Sequence, residues 1–132
     1  MAKIERFEDI GAWRKARVLV RGVYRVCSVE GFRKDYGLVD QMRRASVSIM
    51  ANIAEGFARR TNKEFVNFLG MAHASAAELQ SHLYGALDQG YISEGDFKNL
   101  YALADEVSKM IQGFIAYLRN SPTRKLSNSK TP

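Results

Sequence analysis

The chain has 132 residues, of which 46% are hydrophobic and 26% charged, so a single globular domain is expected. Its one cysteine excludes an internal disulfide, and the lack of an apolar leader or of any run of about 18 apolar residues argues against secretion and membrane spanning. We therefore expect a cytoplasmic protein. The net charge is +6, and no proline precedes Pro122 to interrupt long helices.

The first predicted helix, at about residues 8–28, combines an apolar face with a basic one. At about 100° per residue, one broad face collects Trp13, Ala16, Leu19, Val20, Val23, Tyr24, Val26 and Cys27. A separate row, which we call the arginine stripe, consists of Arg14, Arg17, Arg21 and Arg25. Residues 10–27 include these arginines and Lys15 but no acidic residue. Phe7 and Asp9 are predicted to act as the hydrophobic staple and the cap of this helix.

Three further helices are predicted after a break at residues 29–34. The second spans about residues 35–58, with apolar residues at steps of three and four. Thr61 and Glu64 match a capping box that opens the third, at about 61–89, and Gly90 suits the position past its end. The fourth helix, at about 94–119, begins after Ser93 and carries Leu100, Leu103, Val107, Met110, Phe114, Tyr117 and Leu118 on its apolar face.

Short connections between four long amphipathic helices predict an all-α fold, an antiparallel up-down-up-down four-helix bundle. Residues 1–7 form an N-terminal lead in this interpretation, residues 8–119 the bundle, and residues 120–132 a disordered basic tail. Ile49 and Leu79 are predicted to be buried at the bundle centre.

Two stretches of the second helix, GLVDQMRRASVSI at 37–49 and ANIAEGFAR at 51–59, resemble the motif of a bacterial family. This is the S23-type family, four-helix-bundle proteins first noticed in intervening sequences of 23S ribosomal RNA genes. Matching pieces also occur within residues 7–16, 64–72 and 77–84, so that the resemblance covers about residues 6–119. One departure is Met50, where many relatives have proline, which favours an uninterrupted second helix here.

The resemblance implies a pentameric ring with a basic surface, a nucleic-acid-binding or scaffold role, and no enzymatic activity. The family is also similar, more distantly, to the accessory protein of diversity-generating retroelements, which partners a reverse transcriptase.

The arginine stripe and Lys15 are the main candidates for nucleic-acid binding. A guanidinium group matches phosphate geometry, and arginines four residues apart on a helix repel each other unless an anion neutralises them. The alternative is a solvated face that only keeps the protein soluble. Arg43 and Arg44 on the second helix could extend the same surface, as could three cations at the junction of the second and third helices: Arg59, Arg60 and Lys63.

The remaining polar residues are predicted to be structural. Arg44 is expected to pair with Asp40 or Glu55, and Asn52 and Glu55 to form a hydrogen bond between helices or between subunits. His73 and His82 lie nine residues apart, on opposite sides of one helix, so no shared metal site is expected. Neither a phosphate-binding loop nor a pair of catalytic carboxylates is found in the sequence, and we predict no cofactor and no catalytic site.

Together these features predict a non-enzymatic homo-oligomer that binds RNA or DNA through the phosphate backbone with little sequence preference. The alternative is an accessory scaffold subunit for a nucleic-acid enzyme such as a retroelement reverse transcriptase. A pentamer is favoured by the resemblance alone.

Overall fold

A computed structural model describes residues 3–122, which form five α-helices and contain no strand. The four long helices are α1 (Gly11–Cys27), α3 (Tyr36–Phe57), α4 (Asn62–Asp88) and α5 (Glu94–Arg119), and α2 (Glu30–Arg33) is a single turn in the first connection. Helices α1 and α4 each pack against both α3 and α5. The predicted all-α four-helix bundle is therefore confirmed, and α3 runs uninterrupted through Met50. The tail predicted at 120–132 lies outside the described residues from position 123 onward.

Side-chain caps fix the starts of three long helices. Asp35 accepts a hydrogen bond from the Leu38 backbone N–H at 3.1 Å at the start of α3. Thr61 does the same for Glu64 at the start of α4, and Ser93 for Asp96 at the start of α5. Each bond satisfies a backbone donor that the first helical turn leaves unpaired. Gly90 follows α4 with a φ of +73°, the left-handed conformation that favours glycine there.

The start of α1 differs from the prediction. Asp9 does not cap this helix: its carboxylate accepts hydrogen bonds from the backbone N–H groups of Glu5 and Arg6, at 3.0 and 3.2 Å. These bonds cap the 3₁₀ turn at Phe7–Asp9 and hold the pKa of Asp9 below its usual value, while the backbone bonds from Asp9 N–H to the Arg6 oxygen and from Ile10 N–H to the Phe7 oxygen close the turn. Helix α1 therefore begins at Gly11, with Ile10 before it and no side-chain cap. Phe7 packs edge-on against Trp13, with 5.0 Å between ring centroids.

The core lies along the facing stripes of the four long helices. Ile49 and Leu79 are fully buried, with an exposed fraction of 0% each, which confirms their predicted place. The prediction that Tyr24 and Tyr117 lie on the apolar faces is wrong, since their side chains are 42% and 49% exposed. The stripe of α1 is centred on Val23, and Tyr24 is turned about 100° away from it. The stripe of α5 includes Ala104 and Ile111, which the predicted face left out.

The helices α3 and α4 share the most extensive packing surface, which we call the α3–α4 seam. Gly56 allows the close approach at one end of this seam. A Cβ atom at position 56 would lie 2.7 Å from Cδ1 of Phe65 and 2.8 Å from Cβ of Phe68, closer than carbon atoms pack. The phenylalanines of α4 therefore rest directly on the backbone of α3.

Candidate nucleic-acid interface

The arginine stripe lies on the outer side of α1. All four of its arginines are exposed, whereas the residues of α1 that face the other helices are small or aliphatic and buried. From Arg14 to Arg25 the stripe rises by about 16 Å, at 1.5 Å per residue. That length is enough to face several phosphates of one nucleic-acid strand or duplex.

The two ends of the arginine stripe are partly occupied by other groups of the chain. Arg14 donates a hydrogen bond from Nη1 to the Glu8 carbonyl oxygen at 2.8 Å. At the other end, Nη2 of Arg25 lies 3.8 Å from Oδ1 of Asp96, in an exposed pair. Such a pair contributes little stability, because water screens it.

The middle of the arginine stripe is open. Within residues 3–122, neither Arg17 nor Arg21 has an ion pair or a side-chain hydrogen bond. They stand four residues apart on one face of α1, so their charges repel each other with no carboxylate between them. Lys15 lies to the side of the stripe, where its Nζ is 3.3 Å from Oε2 of Glu106 on α5. Lys15 is thus the least available of the predicted cations on α1.

Helix α3 adds Arg43 beside the stripe, one of the cations predicted to be able to extend the basic surface. Arg43 is half-buried, and its Cζ lies 4.8 Å from the centroid of the Tyr24 ring of α1. Its Nε is buried without a hydrogen-bond partner among the described residues. Tyr24 precedes Arg25 directly and follows Arg21 by three residues, so the ring stands at the edge of the arginine stripe. The helical period alone places Tyr24 beside Arg21 and Arg25, but the apolar character of its ring led to the prediction that it lies in the core.

The second basic cluster, Arg59, Arg60 and Lys63, is exposed at the junction of α3 and α4. The guanidinium of Arg59 lies 4.6 Å from the centroid of the Phe68 ring on α4, and its Nη2 is 3.7 Å from Oε2 of Glu55. Arg59 thus packs toward α4, whereas Arg43 packs toward α1, on the other flank of α3. The two basic regions therefore lie on different seams of the bundle.

Two of the predicted structural residues pair with each other along α3. Nε of Arg44 lies 2.9 Å from Oδ2 of Asp40, four residues earlier, and both side chains are exposed. Glu55, the alternative partner for Arg44, instead forms an ion pair with Arg59. Exposed pairs of this spacing stabilise a helix by about 0.3–0.5 kcal/mol.

Asn52 takes part in a chain of hydrogen bonds that reaches α4. Its Nδ2 donates to the backbone oxygen of Ser48 at 2.9 Å and to Ser48 Oγ at 3.0 Å. The same Oγ is 2.9 Å from Oγ of Ser75 on α4. Asn52 therefore acts within α3, and Ser48 carries the link across the α3–α4 seam. The pairing of Ser48 with Ser75 was not predicted, because serines are common on helix surfaces and only the tertiary packing brings these two together.

The remaining titratable groups show neither a metal-binding cluster nor an ionised thiol in the described part of the chain. No group of three or more His, Cys, Asp or Glu side chains there could hold a metal ion. Burial raises the pKa of the Cys27 thiol to about 11, an effect that the charge of nearby Arg43 partly offsets. The thiol is therefore neutral at neutral pH. Among residues 3–122, no helix combines the length and the apolar character that crossing a membrane requires.

Comparison with known proteins yields a family and a similar fold. A family model described as 23S rRNA-intervening sequence protein matches residues 8–113. The structure is similar to the crystal structure of a protein of unknown function from the S23 ribosomal protein family of Bacteroides thetaiotaomicron VPI-5482, with a TM-score of 0.73. The two are 22% identical, over 79% of this chain and 97% of that chain, so the likeness supports the fold alone. No curated protein matches the sequence.

Proposed function

This chain belongs to the family of 23S rRNA-intervening sequence proteins, and we propose that it binds RNA or DNA without enzymatic activity, through the phosphate backbone. The observation that carries this proposal is the pair Arg17 and Arg21. Both are exposed, four residues apart, and without an anionic partner in the described chain. No carboxylate among the described residues neutralises these two charges, whereas a row of phosphates would.

The physical balance favours a polyanion over a small anion. Each pair of like charges at this spacing destabilises a helix by roughly 0.2–0.5 kcal/mol. A phosphate backbone presents negative charge every few ångströms, so one strand neutralises several arginines at once and releases its own counterions. Contacts of this kind carry affinity but no base sequence, and binding is expected to vary little with sequence.

The proposal includes self-assembly. Large apolar side chains remain exposed at several places on the single chain, among them Val29, Tyr36, Met71 and Tyr117. An oligomer would cover part of this surface and would present several arginine stripes to one strand, which raises the overall affinity without a new contact. Light scattering should give a mass well above 14.9 kDa, that of one chain, and a pentamer is the expected assembly. A monomer at micromolar concentration would contradict this part of the proposal.

The arginine stripe is tested by changing all four of its members to glutamine, which keeps helix propensity and removes the charge. A control variant carries four other exposed changes of the same charge: Arg33→Gln, Lys34→Gln, Lys98→Gln and Lys109→Gln. We expect the stripe variant to bind labelled RNA and DNA at least about tenfold more weakly than the control. Its slope of log affinity against log salt should fall by about one for each lost phosphate contact.

Equal binding by the two variants would overturn this function. The arginine stripe would then be a solvated face, and the chain would be better explained as a scaffold for a nucleic-acid enzyme such as a reverse transcriptase. Purification without nuclease separates these two outcomes. Bound nucleic acid that the stripe variant loses supports direct binding, and a protein partner retained by both variants supports the scaffold.

A further inference from the structure

Beyond phosphate binding, we propose that Tyr24, held by Arg43, is a stacking platform for an unpaired base, so that the arginine stripe takes a single strand. This inference rests on the proposed function and specifies its substrate. It starts from the placement of one half-exposed aromatic ring among cations. Tyr24 is 42% exposed, and the guanidinium of Arg43 lies over its ring at 4.8 Å from the centroid.

The contact with Arg43 distinguishes Tyr24 from an ordinary surface tyrosine. A cation over an aromatic face is attracted by the ring quadrupole, and the contact favours the orientation of the ring that faces the guanidinium. Arg43 is itself half-buried, with its Nε enclosed and unpartnered in the described chain, so packing rather than a carboxylate holds it in place. The guanidinium lies over one face of the ring, and the residue as a whole is still 42% exposed, which leaves area for a base to stack.

The position of Tyr24 on α1 matches the needs of a strand that lies along the arginine stripe. Arg21 precedes Tyr24 by three residues and Arg17 by seven. Along the helix axis they therefore lie about 4.5 and 10.5 Å from Tyr24, on the same side of the helix. The two arginines are those without an anionic partner in residues 3–122. A phosphate on Arg21 or Arg17 therefore leaves the attached base within reach of the ring.

The combination of cations and an aromatic ring favours a single strand over a duplex. Proteins that bind single strands without sequence preference pair a positively charged track with aromatic rings, on which bases stack through their π-faces. In a duplex the bases are already stacked and paired, and a ring on the flank of a helix cannot reach them. On a duplex, Tyr24 would add nothing to the phosphate contacts.

Other half-exposed tyrosines of the chain lack this arrangement. Tyr84 is 51% exposed, but its neighbours are the rings of Phe97 and Tyr101, at 4.9 and 5.9 Å between centroids. No guanidinium lies over its ring among the described residues. Tyr84 therefore serves as a matched control, a tyrosine of similar exposure in aromatic surroundings.

The experiment compares two strands that differ only in their bases. One is a fluorescein-labelled oligothymidylate of roughly 16 nucleotides, the upper end of site sizes for one single-strand module. The other is an abasic strand with the same number of phosphates. The unmodified protein should bind the base-bearing strand roughly tenfold more tightly in fluorescence anisotropy. Tyr24→Leu should abolish this preference and leave the affinity for the abasic strand unchanged, whereas Tyr24→Phe and Tyr84→Leu should keep it.

Tryptophan fluorescence provides an independent measurement. In a Trp13→Phe background, Tyr24→Trp places the only tryptophan of the chain at the platform. Stacking predicts quenching by oligothymidylate and no quenching by the abasic strand. Equal affinity of the unmodified protein for both strands would overturn the platform. So would a preference that survives Tyr24→Leu.

Either result leaves the proposed function intact as long as the stripe variant loses binding. If the stripe variant binds both strands as tightly as its control, the proposed function fails as well. The two failures are therefore distinguishable. The same comparison with an RNA strand tests whether the 2′-hydroxyl adds to binding, since base stacking alone does not separate RNA from DNA.

Discussion

The arginine stripe of α1 and the α3–α4 seam both carry polar side chains on long helices, but their partners differ. Ser48, Asn52 and Ser75 find theirs within the chain, at 2.9–3.0 Å. Arg17 and Arg21 find none within residues 3–122. Polar groups with internal partners specify how helices pack, and charges without them are left for molecules outside the chain. We therefore propose that the seam serves folding and that the stripe serves binding.

The largest expected effect comes from the apolar centre that both helices of the seam contribute. Ile49→Ala and Leu79→Ala each remove methyl groups from fully buried positions. Each should lower the free energy of unfolding by roughly 2–5 kcal/mol, because both transfer energy and packing contacts are lost. Urea denaturation followed by circular dichroism measures this directly. Unchanged midpoints in both variants would place these residues outside the core.

A smaller loss is expected where the backbones of the seam approach most closely. Gly56→Ala places a methyl group 2.7 Å from Phe65, so the ring must shift, at about 1–3 kcal/mol for overpacking. Part of this is offset by the better helix propensity of alanine, up to about 1 kcal/mol. Gly70→Ala on α4, where an added Cβ meets no atom within 4 Å, is the control and should raise stability. If Gly56→Ala raised stability, the packing at this end of the seam would tolerate an added methyl group.

The hydrogen bond across the seam is expected to matter less than either. Ser75→Ala removes the partner of Ser48 on α3 and should lower the free energy of unfolding by about 0.5–1.5 kcal/mol. Ser81→Ala, at an exposed position on the same helix, should change it by less than about 0.5 kcal/mol. Thermal unfolding of the two variants compares them. If Ser75→Ala is as mild as Ser81→Ala, the serine pair does not stabilise the seam.

The smallest effect has the opposite sign and belongs to the stripe. Arg21 has arginines four residues before and after it, so Arg21→Gln removes two repulsive pairs of roughly 0.2–0.5 kcal/mol each. We expect a slight rise in melting temperature at low salt that shrinks as salt is added. Lys109→Gln should instead lower it slightly, because Nζ of Lys109 lies 3.3 Å from Oδ2 of Asp105, four residues earlier on α5. Substantial destabilisation by Arg21→Gln would mean that Arg21 has a partner in the fold.

The candidate site was predictable from the sequence as far as it follows a single helix. The stripe needs only a period of about 3.6 residues and a segment without acids, and both can be counted along residues 10–27. The part of the stripe that has no acidic partner within the fold was not predictable. Glu106 and Asp96 approach Lys15 and Arg25 from α5, more than 70 positions away in sequence, and leave Arg17 and Arg21 as the open middle.

The sequence by itself determined the class of fold, the four long helices and most of their buried faces. Helical periodicity, capping residues and the glycine at position 90 act over a few residues, so they can be recognised without the tertiary structure. Only the tertiary structure decided what lies beside each face. Tyr24 lies outside the predicted core because α1 turns Val23 inward, and its ring contacts Arg43 of α3. Contacts of this kind depend on how the helices pack together, which no local pattern along one helix encodes.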